Sequence, residues 1–106
     1  KLHSYWTFAA RITSPKISWQ NFRKKFIEFG GTGIFASWKL LYQEDVFKNG
    51  NWKKQCPQLY KNYKFKPCKN AEKIQKELLQ FPLNFKNLDS AQKSIKALEK
   101  TIKYFD

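Results

Sequence analysis

The chain has few of the residues on which self-contained active sites depend. Its 106 residues include no methionine, one histidine, two cysteines and only eight acidic residues. Nucleophilic catalysis needs a base beside the nucleophile, and the single histidine, His3, lies near the N-terminus. Cys56 and Cys68 are too far apart for a CxxC motif, so the usual zinc ligand spacings cannot be assembled. The sequence therefore predicts neither a catalytic centre nor a metal site of its own.

The two cysteines leave two states open. A disulfide between Cys56 and Cys68 is compatible with the sequence. Free, partly buried thiols are typical of the reducing cytoplasm. We expect free thiols and a cytoplasmic protein.

Long apolar runs are also missing. No segment approaches the roughly 20 apolar residues that a spanning helix needs, and no charged segment followed by an apolar one opens the chain. Because the chain lacks methionine and enters a strand pattern at once, we expect a soluble fragment cut at a domain boundary, with no membrane partner. Its length and its 42% hydrophobic content predict a single domain over residues 1–106.

Positive charge is abundant. Lysine and arginine number 21, which gives a net charge of +13. Such a surplus attracts anions, so that nucleic acid, acidic lipid and phosphorylated small molecules are candidate partners. The lysines are spread along the whole chain rather than grouped in blocks, and a merely solvated basic surface remains an alternative.

Periodicity predicts three elements in the first 40 residues. Residues 4–12 are rich in aromatic and β-branched types and predict a strand, covered on both faces. In residues 18–29, apolar side chains recur at helical spacing after a Ser18 cap and before two glycines. Residues 33–38 predict a second strand. Residues 39–47 are ambiguous, and residues 51–67 predict an irregular loop.

The C-terminal third predicts two helices separated by a proline. Asn70 caps the first helix, which should stop just before Pro82. Its predicted buried stripe is Ala71, Ile74, Leu78 and Phe81. A short edge strand is predicted at residues 81–83. Asp89 and Gln92 have capping-box spacing for the last helix, whose predicted buried stripe is Ala91, Ile95, Leu98, Ile102 and Phe105. The element order predicts an α+β two-layer sandwich, with helices packed on a small, mainly antiparallel sheet.

Two segments suggest binding functions. Residues 30–33, GGTG, lack the lysine and the strand-to-helix context of a P-loop, and they predict a helix stop and a turn instead. Residues 52–66 mix lysines with aromatic rings, a composition that suits single-stranded nucleic acid. No RNP-like, KH or helix-turn-helix pattern accompanies this segment. A stand-alone basic module for single-stranded nucleic acid is therefore the alternative hypothesis.

Motifs along nearly the whole chain resemble one enzyme family. Residues 68–73, CKNAEK, are similar to a "CP-x-AE" helix start, and residues 79–83, LQFPL, to an "LPL" strand before a terminal helix. Gly33 and Ile34 are similar to a "GI" turn that follows a helix. The chain resembles the C-terminal small domain of the DegT-type sugar aminotransferases. These are pyridoxal-phosphate enzymes of the aspartate-aminotransferase fold that act on nucleotide-linked keto sugars.

The resemblance also indicates candidate site residues. In many members a His-Tyr-x-Pro-x-His stretch lies beside the substrate. Here Ser37 and Trp38 take the place of His-Tyr, Leu40 replaces the proline, and Tyr42 takes the place of the last histidine. The resemblance implies that Ser37, Trp38 and Tyr42 face the substrate and that Lys39 contacts a phosphate. A core position for Trp38 is the alternative.

The resemblance further implies what lies elsewhere. The family's Schiff-base lysine belongs to an N-terminal large domain, and no lysine here lies in a matching motif. We therefore expect the chain alone to bind no cofactor and to be inactive, and we expect no catalytic residue in it. The implied partners are the large domain, a second subunit of a homodimer and a nucleotide-sugar substrate, whereas nucleic acid is an unlikely partner under this hypothesis.

Overall fold

The computed structural model describes residues 5–61 and 66–106, which contain three strands, six α-helices and one 3₁₀ turn. The strands are β1 (Thr7–Arg11), β2 (Phe35–Ala36) and β3 (Leu78–Pro82). The longer helices are α1 (Trp19–Glu28) and α6 (Leu88–Phe105). Between them lie a 3₁₀ turn (Leu41–Gln43) and the short helices α2 (Asp45–Lys48), α3 (Asn51–Gln55), α4 (Pro57–Lys61) and α5 (Lys69–Gln75).

The three strands form one antiparallel sheet in the order β1-β3-β2. Phe8 lies opposite Phe81, Ala10 opposite Leu79, and Ala36 also opposite Leu79. The α+β class and the antiparallel sheet are therefore confirmed. The prediction of an edge strand at residues 81–83 is wrong, because β3 begins at Leu78 and lies in the centre of the sheet.

Helix α5 ends at Gln75, well before Pro82. Sequence reasoning placed Leu78 and Phe81 on a helical stripe, since spacings of three and four suit a helix. In the fold, Leu79 and Phe81 alternate with less buried neighbours and face the core. Burial of these two side chains in the central strand outweighs the local helical pattern.

Strand β2 is much shorter than the predicted strand over residues 33–38. The hydrogen bonds from Ile12 N to Glu77 O (2.8 Å) and from Leu83 N to Trp6 O (3.1 Å) show that alternate residues of β3 bond to β1. Pro82 therefore faces the β2 side, where it has no N–H to donate. At the C-terminal end of β2, Ser37 has a φ of 51°, which lies outside the extended region of backbone conformation. These two residues confine the β2–β3 pairing to two residue pairs.

Helix α1 has the capping predicted from its sequence. The Ser18 hydroxyl accepts from Asn21 N at 3.2 Å. At the C-terminal end Gly30 has φ 91, and its N–H donates to Ile27 O while Gly31 N–H donates to Phe26 O. This pair of bonds is a Schellman motif, in which glycine adopts the left-handed conformation at little cost.

The core lies between the sheet and helices α1 and α6. It contains Phe22, Phe26, Ile34, Leu79, Phe81 and Ala97. The Phe26 ring meets the Phe81 ring edge-on at 5.5 Å. The expectation that β1 is covered on both faces is wrong, since Phe8 and Ala9 are exposed.

Helix α6 is rotated relative to its predicted buried stripe. Its most buried residues are Ser94, Ala97 and Thr101, whereas Ile95 and Ile102 are about half-exposed. The buried Thr101 hydroxyl donates a hydrogen bond to Ala97 O at 2.7 Å, so this buried polar group has a partner. The predicted cap at Asp89 is also wrong, because Asn87 is the N-cap and its Oδ1 accepts from Ser90 N at 2.9 Å.

The middle segment is more regular than predicted. Helices α3 and α4 occupy part of the loop expected at residues 51–67, and α2 begins in the ambiguous segment 39–47. Residues 62–65 lie outside the described residues. Cys56 and Cys68 are free thiols, as expected, but both are exposed rather than partly buried. None of the helices in residues 5–61 and 66–106 has the length and apolar character needed to cross a membrane.

Candidate functional site

A groove of about 290 Å³ lies where the chain leaves β2 and passes helix α5. Residues 35–40 form one side of this groove. The other side comes from α5 and from the open face of β3. We call it the β2–α5 groove, and its lining residues outside 35–40 are Ala71, Ile74, Gln75, Leu78 and Gln80.

Ser37 sets the direction of the chain at this groove. Its φ of 51 is uncommon for a residue with a side chain. Such a conformation costs on the order of 1–2 kcal/mol, which the surrounding structure must supply. The turn at Ser37 ends β2 and carries Trp38 and Lys39 along the mouth of the groove.

Three aromatic rings cluster beside the groove. Trp38 lies 5.5 Å from Phe35 and 6.2 Å from Trp6, and Trp6 is stacked on Phe35 at 6.1 Å. All three remain open to solvent, with exposures of 61% for Trp6, 39% for Phe35 and 52% for Trp38. Trp38 is therefore not a core residue. An exposed ring cluster of this kind offers flat apolar walls to a ligand or to another domain.

The ring cluster also borders a second hollow. This hollow measures about 350 Å³ and is lined by Trp6, Phe35, Pro82 and neighbouring residues of the Thr32–Gly33 and Asn84–Phe85 segments. Trp6 and Phe35 were not predicted as site residues. The aromatic richness of the chain was a signal that some rings lie on a binding surface. Which rings meet depends on the pairing of β1 and β2 with the two sides of β3.

Ser37, Trp38 and Lys39 share the β2–α5 groove. Lys39 is exposed, and its Nζ lies 3.8 Å from Asp45 Oδ1. Exposed pairs at this distance contribute little stability, so the ammonium group can exchange Asp45 for an anionic ligand at small cost. The structure therefore brings three of the four predicted residues together.

Tyr42 lies apart from the residues that line the groove. Its hydroxyl donates to Glu72 Oε1 at 2.9 Å and accepts from Cys68 N at 3.3 Å. Burial raises the pKa of the Tyr42 hydroxyl, and the hydrogen bond to Glu72 raises this pKa further. Tyr42 thus links the segment after β2 to the start of α5, and in this structure it supports the groove wall.

Two of the described lysines, Lys25 and Lys39, lack the surroundings of a Schiff-base lysine. A Schiff-base lysine needs a lowered pKa in an enclosed site. The pKa of Lys25 is instead raised, chiefly by its hydrogen bond to Glu28, and Lys39 at the groove is exposed. A search of the described residues also finds no cluster of His, Cys, Asp or Glu that would hold a metal ion.

No protein-family model, no curated protein and no solved structure matches the chain. The support for any function therefore comes from the geometry of the groove and from the sequence motifs.

Proposed function

We propose that this chain is the C-terminal small domain of a cytoplasmic, PLP-dependent sugar aminotransferase of the DegT type. The whole enzyme aminates nucleotide-linked keto sugars for amino-sugar or cell-surface polysaccharide biosynthesis. The β2–α5 groove and its ring cluster form one wall of the substrate pocket. The observation that carries the proposal is the shared position of Ser37, Trp38 and Lys39, which the family resemblance assigns to the substrate side.

The element order supports the proposal. Strand, helix and strand are followed by the α5 helix, the Phe-Pro-containing strand β3 and a long terminal helix. Helices α1 and α6 pack on one face of the sheet, as a two-layer sandwich requires. In the proposal this sandwich is the small domain of the aspartate-aminotransferase fold.

The chemistry of the groove also suits a nucleotide sugar. Indole and phenyl rings present flat apolar faces to a pyranose or a base. Lys39 supplies a cation that is held only weakly by Asp45, and a net charge of +13 attracts a diphosphate. Ser37 adds a hydroxyl that both donates and accepts.

Exposed apolar side chains on α6 favour a further domain as partner. Leu88, Ile95 and Ile102 follow one another at intervals of seven residues, and each is at least about half-exposed. Apolar surface of this kind marks places where other polypeptide packs. In the proposal the large domain carries the Schiff-base lysine and the cofactor, and the enzyme is a homodimer. The chain alone is then inactive.

The test uses the complete polypeptide that contains this chain. We expect this polypeptide to bind pyridoxal phosphate through a lysine outside residues 1–106, with the visible absorbance of a protein-bound Schiff base. With an amino-acid donor it should aminate a nucleotide-linked keto sugar. The 106-residue chain, mixed with pyridoxal phosphate, should show no such specific absorbance.

Two results would contradict the proposal. One is a stoichiometric and specific Schiff base on the 106-residue chain. The other is a tight, salt-sensitive complex of this chain with single-stranded nucleic acid, combined with no amination by the complete polypeptide. The second result would favour the basic binding module instead. Part of the segment on which that alternative rests, residues 62–65, lies outside the described residues.

A further inference from the structure

We infer that Gln75 of helix α5, acting with Gln43, is a positioning residue that fixes Trp38 at the β2–α5 groove. Neither glutamine belongs to the motifs of the family resemblance. The positional role follows from hydrogen bonds alone. Its consequence for substrate binding rests on the proposed function.

Two side-chain amides form a closed network around the turn after Ser37. Gln75 Nε2 donates to Trp38 O at 2.6 Å and to Gln43 Oε1 at 3.1 Å. Gln43 Oε1 accepts a second bond from Leu40 N at 3.1 Å. The carbonyl of Trp38 and the amide of Leu40 are thereby both held from α5, one directly and one through Gln43.

The donor and acceptor roles in this network are fixed. A primary amide has two N–H donors on one atom and an acceptor oxygen on the other. If the Gln75 amide were reversed, its oxygen would face Trp38 O and Gln43 Oε1, which are both acceptors. Gln75 therefore acts only as a donor at these contacts, and Gln43 acts only as an acceptor.

The turn needs this support because Ser37 has a costly backbone conformation. A second tether from α5 joins Tyr42 to Glu72 at 2.9 Å. Glu72 and Gln75 are three residues apart on one helix, so that they lie on the same face. Helix α5 thus holds the segment between Trp38 and Tyr42 at two points and sets where the Trp38 ring stands.

The fixed roles give a matched pair of variants. In Gln75→Glu the side chain keeps its size, but an ionised carboxylate has no donor, and it would face two acceptors. In Gln43→Glu the carboxylate still accepts from Leu40 N and from Gln75 Nε2. The same chemical change should therefore displace Trp38 at position 75 and leave it in place at position 43. Gln75→Leu removes both bonds without adding charge.

The first measurement uses the ¹⁵N-labelled 106-residue chain. We expect Gln75→Glu and Gln75→Leu to shift the NMR signals of the Trp38 indole N–H and the Leu40 amide, while Gln43→Glu leaves the Trp38 signal nearly unchanged. Thermal unfolding of each variant checks that it is folded. The inference is overturned if the position-75 variants fold and Trp38 does not shift, or if all three variants shift Trp38 alike.

The second measurement uses the complete polypeptide with a nucleotide-linked keto sugar. We expect Gln75→Glu to raise KM for the sugar about tenfold while kcat changes less than about twofold, because a displaced wall weakens binding rather than chemistry. Gln43→Glu should keep the original KM. If the NMR shift appears and no amination is found with the unsubstituted polypeptide, the proposed function fails and the positioning role stands. If amination occurs and Gln75→Glu leaves KM unchanged, the inferred effect on substrate is refuted and the proposed function stands.

Discussion

Gly31 offers a direct test of the packing between helix α1 and the core. A Cβ added at Gly31 would overlap Cε1 and Cζ of the Phe26 ring and would lie 2.6 Å from its Cδ1. Phe26 is 1% exposed and packs edge-on against Phe81, so the ring has little room to move. Gly31→Ala should therefore strain the core.

The loss of folding stability expected for Gly31→Ala follows from overpacking of the core. Overpacking a well-packed core typically costs about 1–3 kcal/mol. For a domain of this size each kcal/mol lowers Tm by about 4–8 °C. Gly33→Ala is the matched control, because nothing lies within 4 Å of a Cβ added there. Both substitutions restrict the unfolded chain to a similar extent, so the difference between them isolates the contact with Phe26.

The assay is urea or thermal unfolding of the 106-residue chain followed by circular dichroism. Gly30→Ala provides a second comparison, since Gly30 has φ 91 and open space around it, and strain of the backbone alone should cost about 1–2 kcal/mol. Combining Gly31→Ala with Phe26→Leu should recover part of the loss at Gly31. If Gly31→Ala is as stable as Gly33→Ala, the inferred packing of Phe26 is wrong.

Three further predictions concern the core, an ion pair and the thiols. Leu79→Ala should lower the free energy of unfolding by about 2–5 kcal/mol in a urea titration, because Leu79 is 2% exposed in the central strand. The hydrogen bond from Lys25 holds the pKa of Glu28 below its usual range. The stability that this pair contributes should therefore be lost as the pH falls through the lowered pKa of Glu28 in the folded chain. Glu28→Gln should lack this part of the acid-induced fall in Tm. Cys56 and Cys68 are exposed and free, and both should react with a thiol reagent in the folded chain, whereas failure of either to react would contradict their placement.

Local signals predicted the first helix and the fold class well. Ser18, the apolar spacing of α1 and the two glycines after it all act within a few residues of one another, and the structure has the predicted cap and stop. Such short-range effects are visible in a sequence because they need no knowledge of the rest of the fold.

Long-range pairing accounts for most of the errors. Phe81 fits a helical pattern with Leu78, three residues before it, and an extended pattern with Leu79, two residues before it. Only pairing with β1 and β2 decides between the two patterns. The apolar face of helix α6 is wide, and the rest of this chain buries only part of it, which leaves Leu88, Ile95 and Ile102 exposed. The sequence therefore could not show that the small residues Ser94 and Ala97, rather than Ile95, would be buried.

The candidate site was predictable only where its residues are neighbours in sequence. Ser37, Trp38 and Lys39 are consecutive, so a motif resemblance that includes one of them includes all three. Trp6 joins them through the sheet register and Gln75 through a helix almost 40 residues away in sequence. Neither carried a local signal, because an aromatic residue near a strand and a glutamine on a helix are both ordinary.

The KM of a Trp38→Ala variant of the complete polypeptide tests most directly whether the β2–α5 groove is a substrate wall. Loss of an exposed indole that contacts the sugar nucleotide should raise KM about tenfold, which corresponds to about 1.4 kcal/mol of binding. Tyr104→Ala is the control, because Tyr104 is also exposed but lies on α6 beside Phe29 and Phe105. The proposal predicts a raised KM for Trp38→Ala alone. An unchanged KM for Trp38→Ala in an active enzyme would contradict it.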